Sequence, residues 1–235
     1  MKAGRAAAVT LAAFIFGLVA TALHASAQET VPLPSPRPAY TAPKTAIGST
    51  DMPKPPAGGY NHGTVVILRG LHNIWSRGMD ALAKKFEAQG VEVTLSNHAF
   101  WRDIANDIIA EYKKDPKKTT PIIIIGHSLG GDAALVMSNW MVHNGVPVRF
   151  IVVFDAVAQT HPVEGGVEEV LNFYKPKGYG QEVNGSKRFK GTITNIDLTK
   201  RRDLDHLNID KDEDLQDQVL AKTLTILKDT QTASR

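Results

Sequence analysis

Four consecutive isoleucines followed at once by a glycine- and serine-containing turn constrain the fold of this chain most strongly. Residues 121–132 read Pro-Ile-Ile-Ile-Ile-Gly-His-Ser-Leu-Gly-Gly-Asp, and helix-forming residues continue from Ala133. An unbroken apolar run of this kind is typical of a central parallel strand buried on both faces. The turn fits G-x-S-x-G, in which glycines let strand and helix approach closely around a strained serine. The pattern predicts that Ser128 is a nucleophile; the alternative is a glycine-rich turn without a chemical role.

The remainder of the chain alternates between strand and helix patterns. Strands are predicted at 64–68, 91–95, 148–154 and 191–198, and helices at 76–89, 103–112 and 214–228. Between 157 and 190 the regularity lapses, and the one short pattern there, at 167–174, has helical spacing. Such alternation predicts an α/β fold with a mostly parallel sheet of about five to six strands and helices on both faces.

The first 27 residues have the layout of a cleavable secretory signal peptide. Two basic residues precede an apolar run over 6–23, and Ala25-Ser26-Ala27 supplies a small-residue cleavage site. An uncleaved membrane anchor is the alternative, because the apolar run is nearly long enough to span a bilayer. We therefore expect export to a periplasm or to the extracellular medium, with membrane contact only if the N-terminal segment stays uncleaved.

Composition defines the next two segments. Residues 28–62 contain eight prolines and are predicted to form a disordered linker, which leaves 63–235 as the globular domain. The chain has no cysteine, which excludes disulfides, thiolate catalysis and cysteine-ligated metals. Removal of residues 1–27 leaves 25 basic and 24 acidic residues, so the charge balance gives no reason to expect a nucleic-acid partner.

A nucleophilic serine needs a general base, and the base needs an orienting carboxylate. In a parallel sheet, functional groups gather at the carboxyl ends of the strands. Asp155 directly follows the strand after the G-x-S-x-G turn, and His206 lies in the loop after the last predicted strand. The sequence therefore predicts Asp155 as the acid and His206 as the base. The alternatives are an aspartate that caps a turn and a histidine on the surface.

Other residues compete for these two roles. Asp197 lies near the end of the last predicted strand, but no later strand remains to carry a histidine. His161 follows Asp155 closely and precedes the last strand. The remaining candidates precede the serine or end a helix away from the expected site, namely His62, His72 and His143.

Two backbone N–H groups are expected to bind the oxyanion of a tetrahedral intermediate. One belongs to Leu129, directly after the serine, and the other to the loop after the first strand, most simply at Leu71, with His72 as an alternative. Trp75, Phe100 and Trp101 are expected at the same edge of the sheet, where they could line an acyl pocket, although at least one is expected to be ordinary core.

The motif Gly126-His127-Ser128-Leu129-Gly130-Gly131, with Arg69-Gly70-Leu71 upstream, resembles the α/β-hydrolase superfamily, and within it small lipases, esterases and thioesterase-like domains. The resemblance covers about residues 63–228. It implies a compact α/β-hydrolase fold with the site residues Ser128, Asp155, His206, Leu71 and Leu129. Two features depart from the pattern: Arg69 stands where lipases often have histidine, and an acid on the strand next after the nucleophile is a minority placement.

The sequence thus predicts an exported serine hydrolase that cleaves carboxylic esters or thioesters. Its expected substrate is a small-molecule or lipid-like acyl ester. No cofactor or metal is expected, since the chain has no P-loop, no G-x-G-x-x-G and no H-E-x-x-H. The alternatives are an acyltransferase of the same fold and a catalytically silent, envelope-associated binding domain.

Overall fold

The computed structural model describes residues 51–71, 76–158 and 161–233. The predicted signal peptide, its membrane-anchor alternative and most of the predicted linker lie outside these residues, so those predictions stay open. Within the described ranges, no helix combines the length and the apolar character needed to cross a bilayer.

A six-stranded, wholly parallel sheet forms the centre of the fold, with strand order β2-β1-β3-β4-β5-β6. In chain order the strands are β1 Thr64–Arg69, β2 Val93–Asn97, β3 Ile122–His127, β4 Val148–Phe154, β5 Val167–Tyr174 and β6 Thr192–Asp197. The order reverses between β1 and β3, and ligands of such sheets bind above the carboxyl ends of the strands at the reversal. The predicted α/β fold class is confirmed.

Helices cover both faces of this sheet and bury it in two apolar layers. The helices are α1 Arg77–Ala88, α2 Trp101–Lys114, α3 Pro116–Thr119, α4 Leu129–His143 and α5 Glu213–Ala233. One layer holds side chains of α1 and α5, and the other holds side chains of α2 and α4. The isoleucines of β3 divide between the layers, since Ile123 and Ile125 face the first while Ile122 and Ile124 face the second. This two-sided burial explains why β3 is apolar at every position.

The segment 167–174 is a strand, β5, and the helical prediction for it was wrong. Its apolar residues Val167, Val170, Leu171 and Tyr174 match a helical spacing by coincidence, because β5 lies between β4 and β6 and buries both faces. A doubly buried strand loses the polar–apolar alternation that would have identified it. The strand predicted at 191–198 is therefore the sixth.

Strand β2 begins two residues later than its sequence pattern suggested. The N–H of Val91 donates to the carbonyl of Phe86 and closes the end of α1, so pairing with β1 starts only at Val93. The shift carries the strand to Asn97, whose side-chain amide donates to the carbonyl of Gly70 at 3.2 Å. The ends of β1 and β2 are thereby joined at the carboxyl edge of the sheet.

Candidate active site

A strained turn places Ser128 between β3 and α4. Ser128 has φ 59° and ψ −128°, a backbone conformation that residues other than glycine rarely adopt. A Cβ on Gly126 would lie 2.1 Å from the carbonyl oxygen of Gly130, and one on Gly130 would lie 2.1 Å from that of Leu68. Both positions therefore require glycine, and the resulting close approach of helix to strand imposes the serine conformation.

Three side chains predicted from the sequence meet at the carboxyl edge of the sheet. His206 Nε2 lies 3.0 Å from Ser128 Oγ, and His206 Nδ1 lies 2.8 Å from Asp155 Oδ2. An ionised carboxylate only accepts, so Nδ1 carries the proton and Nε2 is left to accept from the serine hydroxyl. Asp155 is fully buried, Ser128 is 8% exposed and the His206 side chain is 16% exposed. The arrangement can move a proton from the hydroxyl to the imidazole.

The carboxylate of Asp155 is held from a second side by the chain that follows β5. The backbone N–H of Lys175 donates to Asp155 Oδ1 at 2.8 Å. Gly180 leaves room for this oxygen, since a Cβ there would lie 2.0 Å from it. Asp155 itself has a positive φ of 49°. Both carboxylate oxygens are therefore bonded, and the residue is oriented by its surroundings.

The loop that carries His206 is anchored by two cations, the half-buried Lys175 and the buried Arg201. Lys175 Nζ donates to the carbonyls of Arg201, at 2.7 Å, and Leu204. The Arg201 guanidinium, 5% exposed, pairs with Asp203 at 2.7 Å and with Asp212 at 2.5 Å. The hydrogen bond to Asp203 and the pairing with Asp212 raise the pKa of Arg201 further above its ordinary value, so the guanidinium stays charged despite its burial.

Beneath Ser128 lies a second buried pair, His127 and Asp210. Burial lowers the pKa of His127 to about 4 and raises that of Asp210 to about 6. The closest approach is 3.8 Å, between His127 Nδ1 and Asp210 Oδ2, and the same oxygen accepts the N–H of Gly78 at 2.9 Å. His127 is therefore neutral at pH 7, and Asp210 binds the first turn of α1.

The predicted oxyanion donors lie on either side of the serine. Leu129 is the first residue of α4, and N–H groups in the first turn of a helix have no acceptor within the helix. Leu71 follows Gly70 beyond β1 and is 44% exposed. The alternative donor His72 lies outside the described residues. The assignment of Leu71 and Leu129 to an oxyanion hole stays a prediction.

Two of the three predicted substrate-binding residues, Phe100 and Trp101, lie in the described part of the chain, and they differ in their surroundings. Trp75 lies outside the described residues, and Phe100, 56% exposed, follows β2 at the carboxyl edge. Trp101 packs against the layer formed by α2 and α4 and lines a groove of about 640 Å³ with Trp140. Among the described residues that line this groove, none belongs to the Ser128–His206–Asp155 group.

The sequence patterns did not predict the hydrogen-bonding roles of Lys175, Ser76, Asp210 and His127. Lys175 directly follows β5, so a correct strand prediction at 167–174 would have placed it on the same edge as Asp155. Ser76 and Asp210 carry no such signal, because their contacts span 51 and 132 residues of chain. The rival Asp197 caps its own loop by accepting the N–H of Thr199. Within the described ranges, no three His, Asp or Glu side chains are arranged to hold a metal ion.

His127 and Asp210 should affect stability in opposite directions as the pH changes. The folded-state pKa of Asp210 is raised, so its contribution is lost as pH rises from about 4 to 6; that of His127 is lowered, so its contribution grows from about pH 4 to 6.5. As the pH rises through this window, the free energy of unfolding of His127→Gln should fall by up to about 3 kcal/mol relative to wild type. That of Asp210→Asn should rise by about as much relative to wild type.

Chemical unfolding at several pH values measures this difference, and the pH dependence of all other groups cancels on subtraction of wild type. Asp107→Asn, on the exposed face of α2, is the control and should give a flat difference. Slopes of the same sign for His127→Gln and Asp210→Asn would contradict the burial of these two groups.

Comparison with known proteins gives one family match. Residues 71–230, more than half of the chain, match the family described as PGAP1-like alpha/beta domain. No curated protein matches the sequence.

Several solved structures are similar to this chain at low identity. The esterase domain of a Rhodothermus marinus protein is 15% identical with a TM-score of 0.45, and the match covers 75% of this chain and 91% of that one. YbtT, a type II thioesterase of the yersiniabactin pathway, is 9% identical with a TM-score of 0.43, covering 75% and 96%. The NocB thioesterase domain of the nocardicin cluster is 14% identical with a TM-score of 0.41, covering 71% and 94%.

The six-stranded parallel sheet with its serine turn and the family match lead to the same assignment. They confirm the resemblance to the α/β-hydrolase superfamily. The chain belongs to the PGAP1-like alpha/beta domain family.

Proposed function

We propose that this chain is an exported serine hydrolase that cleaves carboxylic esters or thioesters through an acyl-enzyme on Ser128. The observation that carries the proposal is the continuous hydrogen-bonded series from Ser128 Oγ through His206 to buried Asp155, at 3.0 and 2.8 Å. A series of this kind activates a hydroxyl that is a weak nucleophile at neutral pH. The small-residue cleavage site at 25–27 supports export.

In the proposed reaction, Ser128 Oγ attacks the acyl carbon while His206 Nε2 takes the hydroxyl proton. The carbonyl oxygen becomes an oxyanion, which the N–H groups of Leu129 and Leu71 would bind. When the intermediate collapses, the bond to the alcohol or thiol breaks and the leaving group takes the proton from His206. Water then repeats the two steps on the acyl-enzyme, releasing the carboxylic acid and restoring the serine.

Asp155 serves this cycle as the orienting acid. Its Oδ2 accepts from His206 Nδ1 and so keeps the lone pair of Nε2 directed at Ser128. Asp155 is fully buried and its other oxygen accepts the N–H of Lys175, so a second bond besides that to the histidine fixes its orientation. An oriented carboxylate also stabilises the imidazolium that forms in each half of the cycle.

Apolar side chains around the site support an acyl substrate. Of the five large apolar residues that are exposed in the described ranges, four follow strand ends at the carboxyl edge of the sheet, namely Leu71, Phe100, Tyr179 and Leu207. The ring of Tyr179 meets that of His206 edge-on at a centroid distance of 5.0 Å. We refer to these four side chains as the apolar rim. An acyl chain that covers the rim would remove it from water.

Labelling with a fluorophosphonate tests the nucleophile. Wild type should be labelled stoichiometrically, Ser128→Ala should not be labelled, and His206→Ala and Asp155→Asn should lose about 10³- to 10⁴-fold in kcat/KM toward an aryl ester. Ser138→Ala and Asp197→Asn are matched controls, since Ser138 is a buried serine of α4 and Asp197 caps a loop at the end of β6.

Intact mass after labelling should show one adduct per protein molecule. As a separate test of export, protein recovered from the exported fraction should begin at Gln28. Labelling of Ser128→Ala to the same extent as wild type, or no labelling of wild type, would contradict the assignment of Ser128 as the nucleophile. A loss in Asp197→Asn equal to that in Asp155→Asn would contradict the assignment of the acid.

The apolar rim should make activity depend on acyl-chain length. Phe100→Ala and Leu207→Ala should each lower kcat/KM for an eight-carbon aryl ester about 3- to 10-fold, because each removes apolar surface from contact with the chain, and should leave an acetyl ester unchanged. Met52→Ala is the control, as Met52 is the fifth exposed large apolar residue of the described ranges, lies outside the rim and precedes β1. Equal losses for both esters would show that the rim does not contact the acyl chain.

A further inference from the structure

A buried hydrogen-bonded series runs beneath Ser128 from the end of β1 to the backbone of His206. The N–H of Gly70 donates to Ser76 Oγ at 2.9 Å, and Ser76 Oγ lies 2.9 Å from His127 Nδ1. His127 Nε2 lies 2.9 Å from the carbonyl oxygen of His206. Both Ser76 and His127 are 1% exposed, so water does not compete for these bonds.

Chemistry fixes the direction of every bond in the series. A carbonyl oxygen only accepts, so His127 Nε2 carries the proton. His127 is neutral at pH 7, as its pKa of about 4 requires, so Nδ1 has a lone pair and accepts from the Ser76 hydroxyl. The hydroxyl oxygen in turn accepts the N–H of Gly70. The three bonds of the two side chains are therefore consistent with one assignment of donors and acceptors.

The two ends of this series are both parts of the proposed active site. Gly70 directly precedes Leu71, and a Cβ on Gly70 would lie 2.9 Å from the Cβ of Ser128. At the other end, the carbonyl bonded to His127 belongs to the residue whose ring contacts Ser128. The rings of His127 and His206 also lie against each other, with centroids 5.0 Å apart.

We infer that His127 is a positioning residue that holds the backbone of His206 and, through Ser76, the Gly70–Leu71 segment in register with Ser128. This inference rests on the proposed function, because it assigns His127 to the same site. A buried histidine that only fills space and satisfies its own polar groups is the competing explanation. That explanation predicts an effect of substitution on stability without a specific effect on turnover.

Three substitutions of His127 separate its bond to the backbone of His206 from its bond to Ser76. His127→Gln can place its amide N–H near the position of Nε2 and keep the bond to His206, whereas His127→Asn can place its amide oxygen near Nδ1 and keep the bond to Ser76. His127→Leu removes both. We expect kcat to fall about 10- to 100-fold in His127→Leu, with KM within about twofold of wild type, and to recover in part in the Gln and Asn variants.

A double-mutant cycle tests the bond between Ser76 and His127. Ser76→Ala should lower kcat less in His127→Leu than in wild type, because the bond from Ser76 to His127 is already absent there and only the bond from Gly70 remains to be lost. Proton NMR tests the bond to the backbone of His206: the downfield signal of His206 Nδ1–H should be retained in His127→Gln and broadened in His127→Leu. Thermal unfolding is measured for every variant, and the Gln, Asn and Ser76→Ala variants decide the outcome if His127→Leu does not fold.

Wild-type kcat in a folded His127→Leu variant, or additive effects of Ser76→Ala and His127→Leu, would overturn the inference. A drop in stability with an unchanged His206 signal and unchanged kcat would favour the space-filling explanation. Failure of the proposed function is distinguishable, because it would appear as activity or labelling that survives Ser128→Ala. If Ser128→Ala is inactive and His127→Leu retains full turnover, only the positioning role is wrong.

Discussion

The close contact between β3 and α4 is the constraint on which the rest of the site depends. Gly126 and Gly130 have no space for a side chain, because the helix starts against the strand it follows and against the end of β1. The close contact between these elements holds Ser128 in a backbone conformation that is unfavourable for serine. The surrounding core compensates this strain, since β3 is buried at every position from Ile122 to His127. The serine is thus presented by packing, before any partner is considered.

Burial also explains how loops distant in sequence are held at one edge of the sheet. Lys175 bonds the acid through its backbone and the His206 loop through its side chain. Asp210 and Gln216 bond the first turn of α1, at Gly78, from the segment that follows His206. The bonds of Asp210 and Gln216 are buried, so leaving one of them unmade costs about 1–3 kcal/mol. The loops consequently share one arrangement in which all of the bonds form together.

The sequence was sufficient to predict the fold class, the serine turn and the two side chains that lie in one hydrogen-bonded series with Ser128. Asp155 and His206 could be identified because parallel strands bring their carboxyl ends together and the chain order restricts the choices. Strand β5 could not be recognised, since residues 170–174 are buried on both faces and the apolar spacing over 167–174 imitates a helix. Trp101 belongs to a group of three aromatic residues of which at least one was expected to be core, and it packs against the layer formed by α2 and α4. The contacts of Ser76 arise only from tertiary packing.

Mass spectrometry of the protein quenched in acid during turnover of an aryl ester tests the central claim most directly. If Ser128 attacks the acyl carbon, the peptide that contains residues 122–132 should carry the mass of the acyl group, in an amount that decays once substrate is exhausted. When the His206→Ala variant is acylated chemically, it lacks the base that activates water for the second half of the cycle. Its acyl adduct should therefore persist. Turnover without an acylated peptide, or with the acyl group on another residue, would contradict the account.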